Sequence, residues 1–408
     1  MKVQVGVYNL KDMQKKILFI GHDANVAGAQ YVLLDLLKSL KNQGLEIYLL
    51  LAKGGTLLAE FNKVANVILW EYNEESSRRN PYSRIIYDKV FKLNKIRKLN
   101  FYQEKHKELA DLKFDLIFSN TIANGGLLRS LEFLKCPFVV YVHELENSIQ
   151  KYTLPEDLEY QVQNCTHFLA ASKEIKSNLF KNHQIAEDRV TVVNPFISVS
   201  GILNKLHYAN RTGIRKRLNI PSDALVIGGC GNFEWRKGVD TFLSVANAVF
   251  SEKKDVHFLW IGIQKNSIEH QNILYDLEKM GIENHVHVIA PTRDNIDYMA
   301  CFDIFFLSSR EDPHPLVMIE ASLNKIPVVC FDKAGGAPEY VDKDERVIIP
   351  YGSIVSAKSK LITLIENKLL REEIGQKMYQ KALNYDASVI APQILQILEE
   401  INEHESIA

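Results

Sequence analysis

The sequence contains no uninterrupted apolar run of about 18 residues, which a membrane-spanning helix needs. Its first residues (MKVQVGVYNLKDMQKK) lack the apolar stretch of a secretory signal. It also lacks an excess of either charge: 49 Lys and Arg stand against 50 Asp and Glu, a formal net charge of −1. That balance gives neither the basic surface of a nucleic-acid binder nor an acidic tail, so no nucleic-acid partner is expected. Cysteine is scarce. The five present (Cys136, Cys165, Cys230, Cys301, Cys330) form no CxxC pair and have no histidine at metal-ligand spacing. Thiols scattered in or beside apolar runs fit buried free cysteines in a reducing compartment, so a cytoplasmic protein is expected. The GxGxxG turn of a dehydrogenase, with its trailing acidic residue, is absent as well.

The feature that is present is alternation. Short apolar runs are separated by longer amphipathic ones over 408 residues, more than one ordinary core of about 100–200 residues accommodates. The pattern is that of βαβ units with parallel sheets. Strands are predicted at Lys16–His22, Glu46–Ala52, Asn66–Trp70, Asp115–Asn120, Pro137–His143, His167–Ser172 and Thr191–Phe196. A second series follows at Ala224–Gly231, His257–Gly262, His285–Pro291, Ile304–Ser309, Val328–Asp332 and Arg346–Pro350. Helices are predicted at 239–252, 266–281, 294–302, 315–325, 354–366, 369–384 and 388–404. The polar run Ser198–Pro221 lacks strand periodicity, which puts an interdomain connection near 197–210. Two open α/β domains are expected, 1–200 and 201–387. Their ligands should lie beyond the carboxyl ends of the strands.

Three post-strand segments of the second half carry candidate chemistry. In SREDPHPLVMIE (Ser309–Glu320), Pro315 suits the first turn of a helix, whose free amides at Leu316 and Val317 would favour a phosphate. Asp312 and Glu320 can both reach one hydroxyl-rich ligand, although a helix cap and a solvated acid would read the same way alone. In GGCGNFEWRKGVD (Gly228–Asp240), small residues at Gly231 and Asn232 precede two cations, Arg236 and Lys237. Such a pair neutralises a leaving diphosphate, or is simply a solvated loop pair. In CFDKAGGAPEYV (Cys330–Val341), Gly335 and Gly336 fit either a diphosphate turn or a tight connection. Asp342-Lys343-Asp344 spells a metal-binding DxD, but in a charged turn it reads as surface, and no metal is expected.

In this order and placement, the three segments resemble the donor half of glycosyltransferase family 4, whose signature has two acidic residues separated by seven. Asp312 and Glu320 occupy those positions, with Asp where Glu is usual and His314-Pro315 where Phe-Gly is common. The resemblance implies the GT-B fold, two Rossmann-like domains facing each other across a cleft, with the last helix (388–408) packing back on the first domain. It implies retaining transfer of a sugar from a nucleoside diphosphate sugar, used as co-substrate without a metal or other cofactor. Asp312 would contact the transferred sugar, Glu320 the ribose and Lys237 the diphosphate; Arg236 is expected to supply the second cation in place of an arginine the family often has where Asn232 stands. Gly231, Asn232, His314, Leu316, Val317, Gly335 and Gly336 would complete the donor site. In the first half, GHDANVAGAQ resembles the family's glycine-rich loop through Gly28, and strand-end His143 matches a histidine facing the reacting sugar. A catalytically silent sugar-nucleotide-binding subunit is the rival expectation.

One stretch of the first, acceptor-binding half stands apart. Between Arg78 and Lys107 ten Lys or Arg residues are interleaved with aromatic and aliphatic ones, against only Asp88 and Glu104 as acids. As a helix it would either pack its apolar face on the domain or present a basic amphipathic face to an anionic membrane. The expected acceptor is a growing glycan, a lipid-linked sugar or a small molecule; the second option suits the lipid-linked one and a protein peripheral at the inner face of the membrane.

Overall fold

In the computed structural model, residues 15–72 and 93–405 are described. Among them thirteen strands form two all-parallel sheets. The first contains β1 (Lys16–Gly21), β2 (Glu46–Leu51), β3 (Asn66–Leu69), β4 (Leu116–Ser119), β5 (Phe138–Val142), β6 (His167–Ala170) and β7 (Val190–Val192), in the order β3-β2-β1-β4-β5-β6-β7. The second contains β8 (Leu225–Cys230), β9 (Val256–Ile261), β10 (Val286–Ile289), β11 (Ile304–Leu307), β12 (Val328–Phe331) and β13 (Ile348–Ile349), in the order β10-β9-β8-β11-β12-β13. These strands read as continuous Val/Ile/Leu/Phe runs because helices cover both faces and leave no solvated side. The strand order reverses direction between β1 and β4, and again between β8 and β11. Those two switch points are the crevices where an open α/β sheet takes a ligand.

Each sheet has its own core. One runs from Ile17 to Phe196 and is completed by Ile390, Ala391, Ile394 and Leu398 of the final helix Ala387–Glu405. The other runs from Ile197 to Ala382. Leu316 packs against both. The chain crosses between domains twice at one place. Ile197 N–H donates to Tyr385 O (3.0 Å), Ala387 N–H to Ile197 O (3.0 Å) and Val199 N–H to Asp386 Oδ2 (2.8 Å).

Two expectations need correction. The two cores change over between Phe196 and Ile197, at the start of the connection expected at 197–210, but most of that stretch is not polar loop: it forms the helix Val199–Tyr208, capped by Ser198 Oγ on Gly201 N–H. Its apolar residues Val199, Ile202, Leu203 and Leu206 pack on the second core, a face that Gly201 and its polar neighbours obscure in the sequence. The helix expected at 294–302 is only Asn295–Met299. Of the basic stretch, residues 78–92 lie outside the described residues. The remainder opens the helix Leu93–Leu112, exposed from Lys95 to Asn100. Further along, it rests on the first domain through Tyr102 against Trp70 (ring centroids 5.4 Å), His106 against Phe133 (4.7 Å) and buried Leu109. Among the described residues no helix is long and apolar enough to cross a membrane.

Candidate active site

The second domain contributes three adjoining post-strand loops. After β8 the chain turns through Gly231 and Asn232 into a single 3-10 turn, Trp235–Lys237, that ends on Gly238. Gly238 has φ +65°, and a Cβ there would stand 2.1 Å from Ser308 O, so only glycine lets this loop press on the end of β11. The turn lays the Lys237 stem over Gly231 and points its ammonium at Asp312, with Nζ 2.5 Å from Oδ2. Arg236 stands behind, 2.7 Å from Glu234 and 3.9 Å from Asp312. Burial works against the Arg236 charge, but the carboxylates of Asp312 and Glu234 hold its pKa above the ordinary value.

Asp312 caps no helix. Its N–H donates to Ala334 O (2.7 Å) and its carbonyl accepts from Gly336 N–H (3.1 Å), which ties the β11 and β12 loops together as an isolated bridge. Gly335 and Gly336 make that contact possible: Cβ atoms there would lie 2.0 Å from Asp312 O and 2.1 Å from Pro313 O. The glycine pair therefore holds the acidic segment in place. The Asp312 side chain, 4% exposed, takes Lys237 and a hydrogen bond from Ser309 Oγ (3.3 Å).

Pro315 is displaced by one position from the expectation. With ψ 124° it is the extended residue before the helix, which runs Leu316–Leu323. Met318 N–H is bonded to Pro315 O (3.2 Å), so the amides of Leu316 and Val317 stand ahead of the helical hydrogen-bond ladder, as a phosphate site requires. Glu320, one turn in, accepts from Asn295 Nδ2 (3.4 Å), and burial raises its carboxyl to about 7. His314, the next of the expected donor-site residues, lies between the β11 loop and the domain crossing. It is 6% exposed, stacked on Tyr385 (5.4 Å) and edge-on to Tyr340 (5.9 Å), with neither ring nitrogen hydrogen-bonded. Burial lowers its pKa to about 3. It is thus a neutral ring packed among tyrosines at the domain crossing.

The first domain faces this arrangement. Gly28 begins the helix Gly28–Leu40 after β1, and a Cβ there would lie 3.8 Å from Leu316 of the other domain. His143 ends β5 with its ring against Tyr141 (4.1 Å) and Nε2 shielded without a hydrogen bond, and burial lowers it to about 3. Ser172 is occupied as the cap of the helix Lys173–His183. Asn194 is occupied as a donor to Ala171 O (3.1 Å).

Two carboxylates escaped the sequence reading. Glu144, next to His143, accepts from the Thr121 hydroxyl and from the amides of His143 (2.9 Å) and Ile122 (3.4 Å). Glu311, next to Asp312, reaches across the cleft to Asn147 N–H (3.2 Å), Ser148 N–H (3.2 Å) and Ser148 Oγ (3.1 Å) at the start of the helix Glu146–Tyr152. Adjacency to a motif residue was their one visible signal. The acids of the DxD turn are taken up by cations: Asp342 pairs with Lys377 (3.3 Å) and Lys381, and Asp344 with Arg346 (2.7 Å).

Comparison with known proteins agrees with this architecture. The family profile described as Glycosyltransferase Family 4 matches residues 26–200, and that described as Glycosyl transferases group 1 matches 210–381. The capsular polysaccharide biosynthesis glycosyltransferase CapM of Staphylococcus aureus is 25% identical over 228 residues, 55% of this chain and 59% of that protein. The O-antigen biosynthesis glycosyltransferase WclY of Escherichia coli is 24% identical over 242 residues, 57% of this chain and 66% of that protein. The aligned regions thus span less than two thirds of these relatives' lengths. Among solved structures, Anabaena HepE in complex with UDP and glucose superposes with a TM-score of 0.75 at 18% identity, over 95% of this chain and 100% of that one. Two facing parallel-sheet domains, each matched by its own half of the family's sequence pattern, identify the chain as a member of glycosyltransferase family 4, with the GT-B fold.

Proposed function

We propose that the protein is a retaining glycosyltransferase that moves a hexosyl-type sugar from a nucleoside diphosphate to an acceptor hydroxyl, without a metal ion. The observation that carries this reading is the convergence of Lys237, Arg236 and Asp312 beside the open helix start at Leu316, facing Gly28 across the cleft. As the bond between sugar and phosphate breaks, its electron pair passes to the phosphate, and the two cations with the helix amides stabilise that charge. A diphosphate beside Lys237 competes with Asp312 for the ammonium, which frees a carboxylate oxygen to accept a sugar hydroxyl. Glu320 accepts the ribose hydroxyls. Glu144 already accepts three hydrogen bonds, which disfavours it as a covalent nucleophile. Attack from the departing face, with a phosphate oxygen taking the acceptor proton, fits that constraint. The UDP in the HepE structure favours a uridine donor as the starting choice.

CapM and WclY are named for the biosynthesis of surface glycans. A growing glycan or lipid-linked sugar is accordingly the acceptor we favour, with the exposed Lys95–Asn100 face and the adjoining basic stretch at an anionic membrane. Equal co-sedimentation with anionic and neutral vesicles would remove the membrane contact. For the reaction itself, the test is release of nucleotide from a panel of UDP-, GDP- and ADP-sugars. Nucleotide binding with no release from any donor would identify instead a silent binding subunit.

A further inference from the structure

Glu144 sits where the two post-strand loops nearest His143 meet. Its Oε2 receives the amide of His143, at the end of β5, and that of Ile122, just beyond the end of β4. Its Oε1 receives the hydroxyl of Thr121, and the Thr121 oxygen in turn accepts Ala123 N–H (3.0 Å) and so caps the turn Ile122–Asn124. Below the clamp the polar floor continues. Ser119 Oγ donates to Thr121 O (2.9 Å), Asn124 Nδ2 donates to Ser119 Oγ (3.1 Å), and Asn120 Nδ2 donates to Ala29 O (2.8 Å) in the helix that begins at Gly28. Ser119, Asn120, Thr121 and Asn124 are all buried, a concentration of polar groups where a sheet end would otherwise be apolar. The three loops after β1, β4 and β5 are thus one hydrogen-bonded unit, and Glu144 is its only negative charge in those contacts. Burial raises the Glu144 carboxyl above its ordinary value, while the Thr121 hydroxyl and the two amides pull the other way.

We infer that Glu144 is the positioning residue of the acceptor half: its carboxylate locks the β4 and β5 loops in register and thereby aims His143 at the reacting sugar. The inference rests on the transferase reading for its consequence and on the three hydrogen bonds for its geometry. Among the described residues, His143 Nε2 has no hydrogen-bond partner to orient the ring. Its placement comes from the Tyr141 ring beneath it and from its own amide, which Glu144 holds. Losing the carboxylate leaves two amides and a hydroxyl without their acceptor and lets the β5 end move independently of β4.

The experiment compares Glu144→Gln with Glu144→Ala in the full chain. Glutamine can accept both amides on its oxygen and donate its NH2 to the Thr121 hydroxyl, so it rebuilds the clamp without the charge. Alanine cannot. Three readouts are taken: amide hydrogen exchange at Ile122 and His143, UDP binding by calorimetry, and nucleotide release from the best donor of the panel. The expected result is lost protection at both amides in Glu144→Ala, turnover down about 100-fold, as for a displaced catalytic group, and UDP affinity unchanged. Glu144→Gln is expected to restore protection and most of the turnover. Full turnover in Glu144→Ala would overturn the inference, because nothing would then depend on the clamp. Protected amides with abolished turnover in Glu144→Gln would also overturn it, because the charge itself would be acting. A wild-type chain that binds UDP but turns over no donor sinks the transferase reading alone, and the clamp is still judged by exchange.

Discussion

Lys237 and Asp312 form a close cation–carboxylate pair at the centre of the donor loops, with Asp312 4% exposed. A buried pair of this kind constrains its own mutagenesis, since removing the lysine both strips the diphosphate site and strands a carboxylate. Lys237→Ala is expected to lower nucleotide release by roughly 10²–10³-fold, and steady-state kinetics checks it. Wild-type turnover would show that the ammonium has no part in leaving-group departure. Glu320 predicts a pH dependence of nucleotide binding. Its raised carboxyl, at about 7, is protonated in mildly acidic solution and ionised above neutrality. The proton has to leave before both oxygens can accept ribose hydroxyls. UDP affinity should therefore rise between about pH 6 and pH 8 in the wild type and stay flat in Glu320→Gln, an ordinary carboxyl (midpoint about pH 4.3) being already almost fully ionised where that rise begins. In the free protein the sign is opposite for stability: the native state holds this proton longer than the unfolded chain, so this group's contribution falls as pH rises from the ordinary carboxylate value towards 7. Titration calorimetry across that range decides the binding claim, and an identical rise in Glu320→Gln defeats it.

At the scale of elements, β9 and β10 place His257 and His287 on neighbouring strands with Nδ1 and Nε2 3.0 Å apart. Burial lowers both to about 4. Because these folded pKa values lie below the unfolded one, the stabilisation is complete above about pH 6.5 and drains away as pH falls towards 4, by up to about 1.4 kcal/mol per pH unit for each imidazole. His143 and His314, both lowered to about 3, share the trend. Thermal melts of a His257→Leu/His287→Leu variant should show a shallower acid slope than wild type, and an unchanged slope would mean that the pair is not a source. Most strands were readable because they are short apolar runs buried on both faces, as in VHFLWI and FVVYV. The helix Val199–Tyr208 was not, since its stability comes from packing on a core formed far along the chain. The same limit applied at the site. Arg236, Lys237, Asp312 and the glycine pairs follow strands directly, so local pattern located them. Glu311 gains its meaning from Ser148, 163 positions away, and Glu144 from Thr121, 23 positions away. The packing of His314 was not legible because Tyr340 and Tyr385, which enclose it, are invisible as neighbours in the sequence.

The whole molecule is held closed from two sides by different means. On one side the chain crossings at Ile197 and Asp386 pair as backbone, and Asp386 Oδ1 also accepts Ser388 N–H (2.9 Å) at the start of the final helix. That seam is part of both cores and stays with the fold. On the other side, among the described residues, the hydrogen bonds across the cleft come from side chains: Glu311 to the start of the helix Glu146–Tyr152, and Glu339 Oε2 to Lys173 N–H (3.0 Å) at the start of the helix Lys173–His183. Both are carboxylates from the second domain set on helix N-termini of the first, where unpaired amides and the helix dipole favour negative charge. The Glu311 contact is also coupled to the donor loops, because Arg310 N–H donates to Arg236 O (2.7 Å), so the turn carrying the cations holds the segment that presents Glu311. A diphosphate that orders Arg236 and Lys237 would therefore favour closure, which excludes water and suppresses hydrolysis of the donor. Removing both clasps in Glu311→Ala/Glu339→Ala should leave each core and the backbone seam intact while letting the cleft open. Small-angle scattering should show a larger radius of gyration than wild type in the presence of UDP. Nucleotide release with no acceptor should rise relative to transfer, with UDP affinity close to wild type because Lys237, Asp312 and Glu320 are untouched. A scattering profile identical to wild type would assign closure to the seam and to Leu316, which packs on both cores, and would leave the carboxylates as surface contacts without a role in the cycle.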